Sequence, residues 1–279
     1  MRFSVVYAST AFALALAAPA GAQKAPERSP HLAPHRAVYD LTLAASRGAR
    51  TIESARGRIA FDFTGDACEG YALKFRQVTV LESAESGTKT SDLRTANFES
   101  GDGKTFRFRN DTGSGEGSSQ SVDGNAEKKA SALAVRLKTP KRDNVSLDGE
   151  AVFPNTQMKD LIAAANAGKS TLSMKIFDGS DDGRTVYETL SVIGARIEPG
   201  KVDGLEEPAK QDGLAKLARW PVTMSYFKPG RKDETPVYVL GFDVYENGVS
   251  RALRLDYGDF ALKGEMTRLE LLPEKPCQR

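Results

Sequence analysis

Alternation with a period of two constrains this chain more than any other feature. In residues 59–63, Ile59, Phe61 and Phe63 share one face of an extended segment; in 71–78, Tyr71, Leu73 and Phe75 share one face while Lys74 and Arg76 take the other. Side chains on a strand alternate between two faces, so this pattern specifies half-buried strands and conflicts with the 3.6-residue period of a helix. It recurs at 93–98 and 105–109, and at 37–43 with a change of phase between Val38 and Leu41. Four or five strands therefore precede residue 110 without a convincing helix.

The C-terminal third repeats the theme. Tyr238, Leu240, Phe242 and Val244 share a face, Asn247-Gly248 follows, and Val249, Arg251, Leu253, Leu255 and Tyr257 alternate beyond it. Asn-Gly between alternating runs predicts a hairpin, because both residues tolerate the positive φ that a tight turn requires. Further strands are expected at 132–137, 171–177, 185–193, 220–227 and 262–272. The Gly/Ser-rich stretch 111–120 divides two strand patterns without a new start signal, and reads as a long hairpin loop rather than a domain boundary. Residues 199–217 are charged and Gly-containing, and read as a surface loop with a short helix at 214–218.

One helix is predicted, over 156–168. Asn155 or Thr156 can cap its start, Gly168 can stop it, and Met158, Leu161, Ile162 and Ala165 form one apolar stripe. In an otherwise β chain such a helix plugs or covers the end of a curved sheet, with its stripe serving as core rather than as a ligand pocket.

The N-terminus carries Arg2, then an apolar run over 3–18, then Ala18-Pro19-Ala20-Gly21-Ala22. This pattern predicts a secretory signal peptide over 1–22, cut near Ala22. The run is too short for a membrane span, which takes about 20 apolar residues. Residues 23–34, rich in Pro, Ala and charge, read as a disordered leader, and 35–279 as a single domain. Export to an oxidising compartment bears on the two cysteines, Cys68 and Cys277. Joined, they form a disulfide; the alternative is two buried thiols. The formal net charge of +2 gives no electrostatic support for nucleic-acid binding.

Little in the chain points to catalysis. The histidines are His31, in the expected leader, and His35, which with Arg36 reads as a surface or strand-edge pair. No nucleophile elbow, zinc-protease motif, phosphate loop or dinucleotide fingerprint occurs, and no cofactor or metal is expected. Ser86-Gly87-Thr88-Lys89 has the S-x-x-K spacing of penicillin-interacting enzymes but lacks their partner motifs. Asp178, Ser180, Asp182 and Gly183 open like a calcium loop, yet Thr189 stands where a bidentate glutamate is required, so a hairpin turn is expected.

Together, 35–41, Asp66-Ala67-Cys68-Glu69-Gly70, Phe153-Pro154, 177–183, 245–251 and 256–260 resemble the EipB cell envelope integrity proteins of alphaproteobacteria. The resemblance spans about His35 to Cys277. It implies a periplasmic, mostly β protein built as one many-stranded, curled antiparallel sheet, a β-spiral resembling an open barrel, with one main helix. It also implies a disulfide between Cys68 and Cys277 that ties the C-terminus to an early turn. The implied function is non-enzymatic maintenance of the cell envelope and outer membrane, with a genetic link to a periplasmic tetratricopeptide-repeat protein. The concave face of such a sheet suits a lipid, another envelope component or an extended protein partner. The contrasting reading is a hydrolase or transferase acting on cell-wall or lipid substrates.

Overall fold

Each alternating segment becomes a strand, and hairpins join nearly all of them in order. The computed structural model describes residues 30–47, 51–115, 117, 119–230 and 235–274. Eight strands come first: β1 (His35–Ser46), β2 (Ile52–Asp66), β3 (Gly70–Ser83), β4 (Gly87–Ser100), β5 (Thr105–Ser114), β6 (Ser119–Lys128), β7 (Ala132–Thr139) and β8 (Asp143–Asp148). Helix α1 (Pro154–Asn166) follows, then β9 (Thr171–Ile176) and β10 (Tyr187–Ile193). A 3-10 turn (Glu207–Lys210) and helix α2 (Asp212–Ala215) lead into β11 (Arg219–Phe227), β12 (Tyr238–Tyr245), β13 (Ser250–Asp256) and β14 (Phe260–Leu271).

The strands form one antiparallel sheet in the order β8-β7-β6-β5-β4-β3-β2-β1-β14-β13-β12-β11-β10-β9. First and last strands thus pair in the middle of the sheet, while its two edges, β8 and β9, are sequence neighbours joined through α1. Curling brings the segment that follows β8 against edge strand β9 at one point. Val152 forms a parallel bridge with Ile176, its N–H donating to Lys175 O and its carbonyl accepting from Phe177 N, each at 2.9 Å. Among the described residues no ladder closes the barrel, so the sheet is open but shielded at its seam.

Three apolar cores follow from the curl. One gathers Phe63, Tyr71, Trp220, Val222 and Val244 around Leu161 and Ile162 of α1. A second joins Tyr39, Leu41, Tyr245, Leu262 and Met266, and a third packs Phe106, Phe108, Phe153 and Phe177 beside the seam. In the third, Phe153 and Phe177 come from opposite sides of the bridge and lie 6.5 Å apart, so apolar contact reinforces the single parallel pair.

Several expectations change. Most of 111–120 is strand: β5 runs to Ser114 and β6 begins at Ser119, since small residues still pair through their backbones. The 199–217 segment is no surface loop, because Leu205, Ala209 and Leu214 are buried in the second core and its 3-10 turn packs on β14. Its charges misled: Arg251, Glu206, Asp243 and Arg219 form a buried ion network that carries the segment inward. In β13 the alternation is broken between Gly241 and Asp243 of its partner strand, where Ala252 takes φ 49° and Tyr257 emerges exposed. Order also begins before His35, with Leu32 and Ala33 buried and Ala33 N–H donating to Asn247 O. Residues 1–29, including the expected signal peptide and most of the leader, lie outside the described residues.

Helix α1 keeps its stripe but not its cap. It starts at Pro154, and Phe153 at the cap position offers no side-chain acceptor. It ends as the sequence indicates, with Gly168 at φ 73°.

Candidate functional site

The register decides which side chains meet on the concave face. Phe61 stands opposite Phe75, and Ala37 opposite Phe61. On the facing wall Leu240 stands opposite both Met224 and Leu255, and Leu253 opposite Gly264. A Cβ on Gly264 would come within 3.0 Å of Leu253 Cβ and 3.2 Å of Leu41 Cδ2, so glycine there lets those side chains close in.

Between the first two cores several apolar side chains of this face keep part of their surface accessible. Phe61, Leu73 and Phe75 on β2 and β3, with Tyr226, Tyr238, Leu240 and Leu253 on β11 to β13, remain half-buried. Phe61, Leu240 and Leu253 touch both cores and form a strip between them. Apolar side chains that point inward yet retain accessible surface are the normal lining of a binding cleft.

A row of aromatic rings crosses the same wall. Ring centroids lie 6.2 Å apart for Tyr187 and Tyr226, 5.8 Å for Tyr226 and Tyr238, 5.1 Å for Tyr238 and Tyr257, and 5.0 Å for Tyr257 and Phe260. Gln77 Nε2 lies 3.1 Å from Tyr257 Oη and ties the row to β3. Burial pushes the phenol pKa values of Tyr226 and Tyr238 upward, so each remains a neutral hydroxyl that can donate or accept. At the end of the row Tyr187 donates to Asp181, which also pairs with Lys228 at 3.4 Å. The strip is aromatic, uncharged and dotted with hydroxyls. It suits an apolar or amphipathic chain and offers no cage for an ion.

The residues singled out in the sequence fall elsewhere. Cys68 occupies the exposed β2–β3 turn, where Asp66 Oδ1 accepts from Cys68 N at 2.9 Å and Glu69 N at 2.8 Å. It is not a free thiol, while Cys277 lies outside the described residues, so their pairing is not seen. His35 is buried rather than at a surface or edge; it stacks on Phe61 at 5.0 Å, and its Nδ1 lies 2.8 Å from Ala33 O. Burial holds its pKa below the ordinary 6.5. The 177–183 loop uses its acids for backbone turns: Asp178 accepts from Ser180 N and Asp182 from Arg184 N, both at 2.9 Å. Asn110 Nδ2 donates to Gly179 O at 2.8 Å, docking that loop on β5, so it is a packed connection rather than a tight hairpin. Tyr238 and Tyr257 stood in alternating runs of the sequence; that they form one row with Tyr187 and Tyr226 depends on the order β10-β11-β12-β13, which alternation does not encode.

A single open antiparallel sheet wound around a helix, with a half-buried aromatic inner strip, defines a mostly β, barrel-like protein. The chain belongs to the EipB-like family, whose model matches residues 26–273. It is 35% identical over 237 residues to the cell envelope integrity protein EipB of Brucella abortus (strain 2308), covering 85% of this chain and 83% of that protein. It is also similar to the crystal structure of a beta-barrel-like protein of a domain of unknown function from Brucella abortus, with TM-score 0.80 and 35% identity, across 87% of this chain and 99% of that one. Family membership supports a role in cell envelope integrity.

Proposed function

We propose that this is a non-enzymatic periplasmic protein that maintains the envelope and outer membrane by holding a lipid chain or an extended partner segment along its inner strip. The observation that carries the reading is the half-buried wall of Phe61, Phe75, Tyr226, Tyr238, Leu240 and Leu253 between two filled cores, in a member of an envelope-integrity family. Among the described residues no helix is long and apolar enough to cross a membrane. On this reading the signal peptide over 1–22 is removed near Ala22, and a Cys68–Cys277 disulfide clasps the C-terminal tail to the β2–β3 turn. A tetratricopeptide-repeat partner rests on the resemblance alone.

Native mass spectrometry of protein purified from periplasm tests the binding role. The expected result is a co-purifying lipid or peptide that Leu240→Asp removes; a bare mass for the unsubstituted protein would count against a tightly held ligand. The enzymatic alternative predicts loss of rescue of an envelope-stress defect in alanine variants of His35, Asp178, Asp181 and Asp182. Full rescue by all four supports the non-enzymatic reading.

A further inference from the structure

The outer face of β2 to β5 carries a depression of about 440 Å³ in which Ala60, Lys74, Arg76, Arg94, Ala96 and Arg109 stand together. Its floor and rim follow from register. Ala96 lies directly between Lys74 on β3 and Arg109 on β5, and Arg94 precedes it by two residues on the same face. Arg76 is the cross-strand partner of Arg94 and faces Ala60 on its other side. All six are exposed. Long cationic side chains therefore surround two methyl groups, and the small residues leave the hollow.

Charge in the hollow is unbalanced. Asp92 serves both Arg76, at 3.0 and 2.9 Å, and Arg94, at 2.7 and 3.4 Å; Asp111 serves Arg109 at 2.8 Å. Lys74 joins none of the ion pairs among the described residues. Nearby Arg36 pairs with both Asp62 and Glu270, each at 3.4 Å, and Asp62 is the cross-strand partner of Lys74 without forming an ion pair with it. Four cations against two carboxylates leave a local charge as large as the +2 of the whole chain, so it is a feature of this spot rather than of the surface in general. Like charges directly opposite on neighbouring strands are destabilising, and Arg76 opposite Arg94 is such a pair, relieved by a single shared aspartate. Binding Asp92 uses two of the five N–H donors of each guanidinium, leaving the remainder for another anion.

We infer that this depression binds a phosphate group, carried either by a soluble phosphorylated molecule or by a lipid headgroup. Phosphate matches the surplus: it brings about −1.5 to −2 charges and oxygens that arginine forks bind in pairs, whereas a lone carboxylate would leave cations unmatched. The site lies on the face opposite the inner strip and stands independently of the reading proposed for that strip.

The test uses the mature full chain and two probes: inorganic phosphate followed by NMR titration, and flotation with phosphatidylcholine vesicles containing phosphatidic acid. Ala96→Glu fills the hollow and adds a carboxylate; Lys74→Gln removes the cation that has no ion-pair partner among the described residues and guards against misfolding of the first variant. Arg136→Gln, an exposed cation on β7 outside the depression, is the control. Each test variant is expected to weaken binding of both probes about tenfold, equivalent to about 1.4 kcal/mol, with the control unchanged. Vesicle binding alone, with the same sensitivity, assigns the phosphate to a lipid; free phosphate alone assigns it to a soluble ligand. Equal weakening by Arg136→Gln, or no binding of either probe, overturns the inference.

Discussion

Glu99 on β4 caps helix α1 through Thr156: its Oε1 accepts from the Thr156 amide at 3.0 Å and from the Thr156 hydroxyl, while its Oε2 accepts from Asn155 N at 2.7 Å. The first turn of a helix has amides without helical partners, and Phe153 at the cap position cannot satisfy them. A carboxylate 56 residues upstream does so and locks the helix to the sheet.

Glu99→Ala should therefore destabilise the fold by about 1–3 kcal/mol, the range for losing a cap and stranding buried donors. Glu99→Gln should lose less, since an amide oxygen still accepts. The urea midpoint checks both, and protection of the Asn155 and Thr156 amides in hydrogen exchange should fall with it.

Arg251 is buried between Glu206 and Asp243, with Nη1 2.7 Å from Asp243 Oδ2 and Nη2 donating to Gly204 O at 3.1 Å. Arg251→Met would leave two carboxylates buried beside a single remaining cation, Arg219. A loss of about 3–5 kcal/mol is expected. Because this network anchors 199–217, limited proteolysis should cut that segment first; an unchanged digestion pattern would count against its anchoring role.

His35 makes stability pH-dependent. Its folded pKa lies below 6.5, so as pH falls through 6.5 the unfolded chain takes up a proton before the folded one does. The unfolded state then binds more protons, and stability drops over the window from 6.5 down to the folded pKa. Tm measured at about pH 7.5 and about pH 5.5 should fall less in His35→Phe than in the unsubstituted protein. Equal falls would show that the folded imidazole is not held below its unfolded pKa.

The proposed clasp between Cys68 and Cys277 would close a loop of roughly 210 residues, for which chain entropy gives an upper figure of about 5 kcal/mol. Reductant, or Cys68→Ala, should lower Tm markedly. An unchanged melting curve in reductant would remove the clasp from the account.

Strand identity was legible because period two is local: Tyr71, Leu73 and Phe75 reveal their shared face within five residues. Asn247-Gly248 and Gly168 were legible for the same reason, since turns and helix ends depend on the φ preferences of single residues. The charged 199–217 segment was misread as surface because burial of Glu206 depends on Arg251, 45 residues away. His35 was misread because its stacking partner, Phe61, belongs to the next strand.

The sequence by itself thus determined an antiparallel β protein with one helix and a hairpin near its end, through preferences that act over a few residues. Tertiary structure alone decided that β1 pairs with β14, that Val152 meets Ile176 at the seam, that Glu99 caps α1, and which side chains line the inner strip and the outer hollow. Those contacts join residues far apart in the chain. Their energies depend on curl and register, which no short stretch of sequence carries.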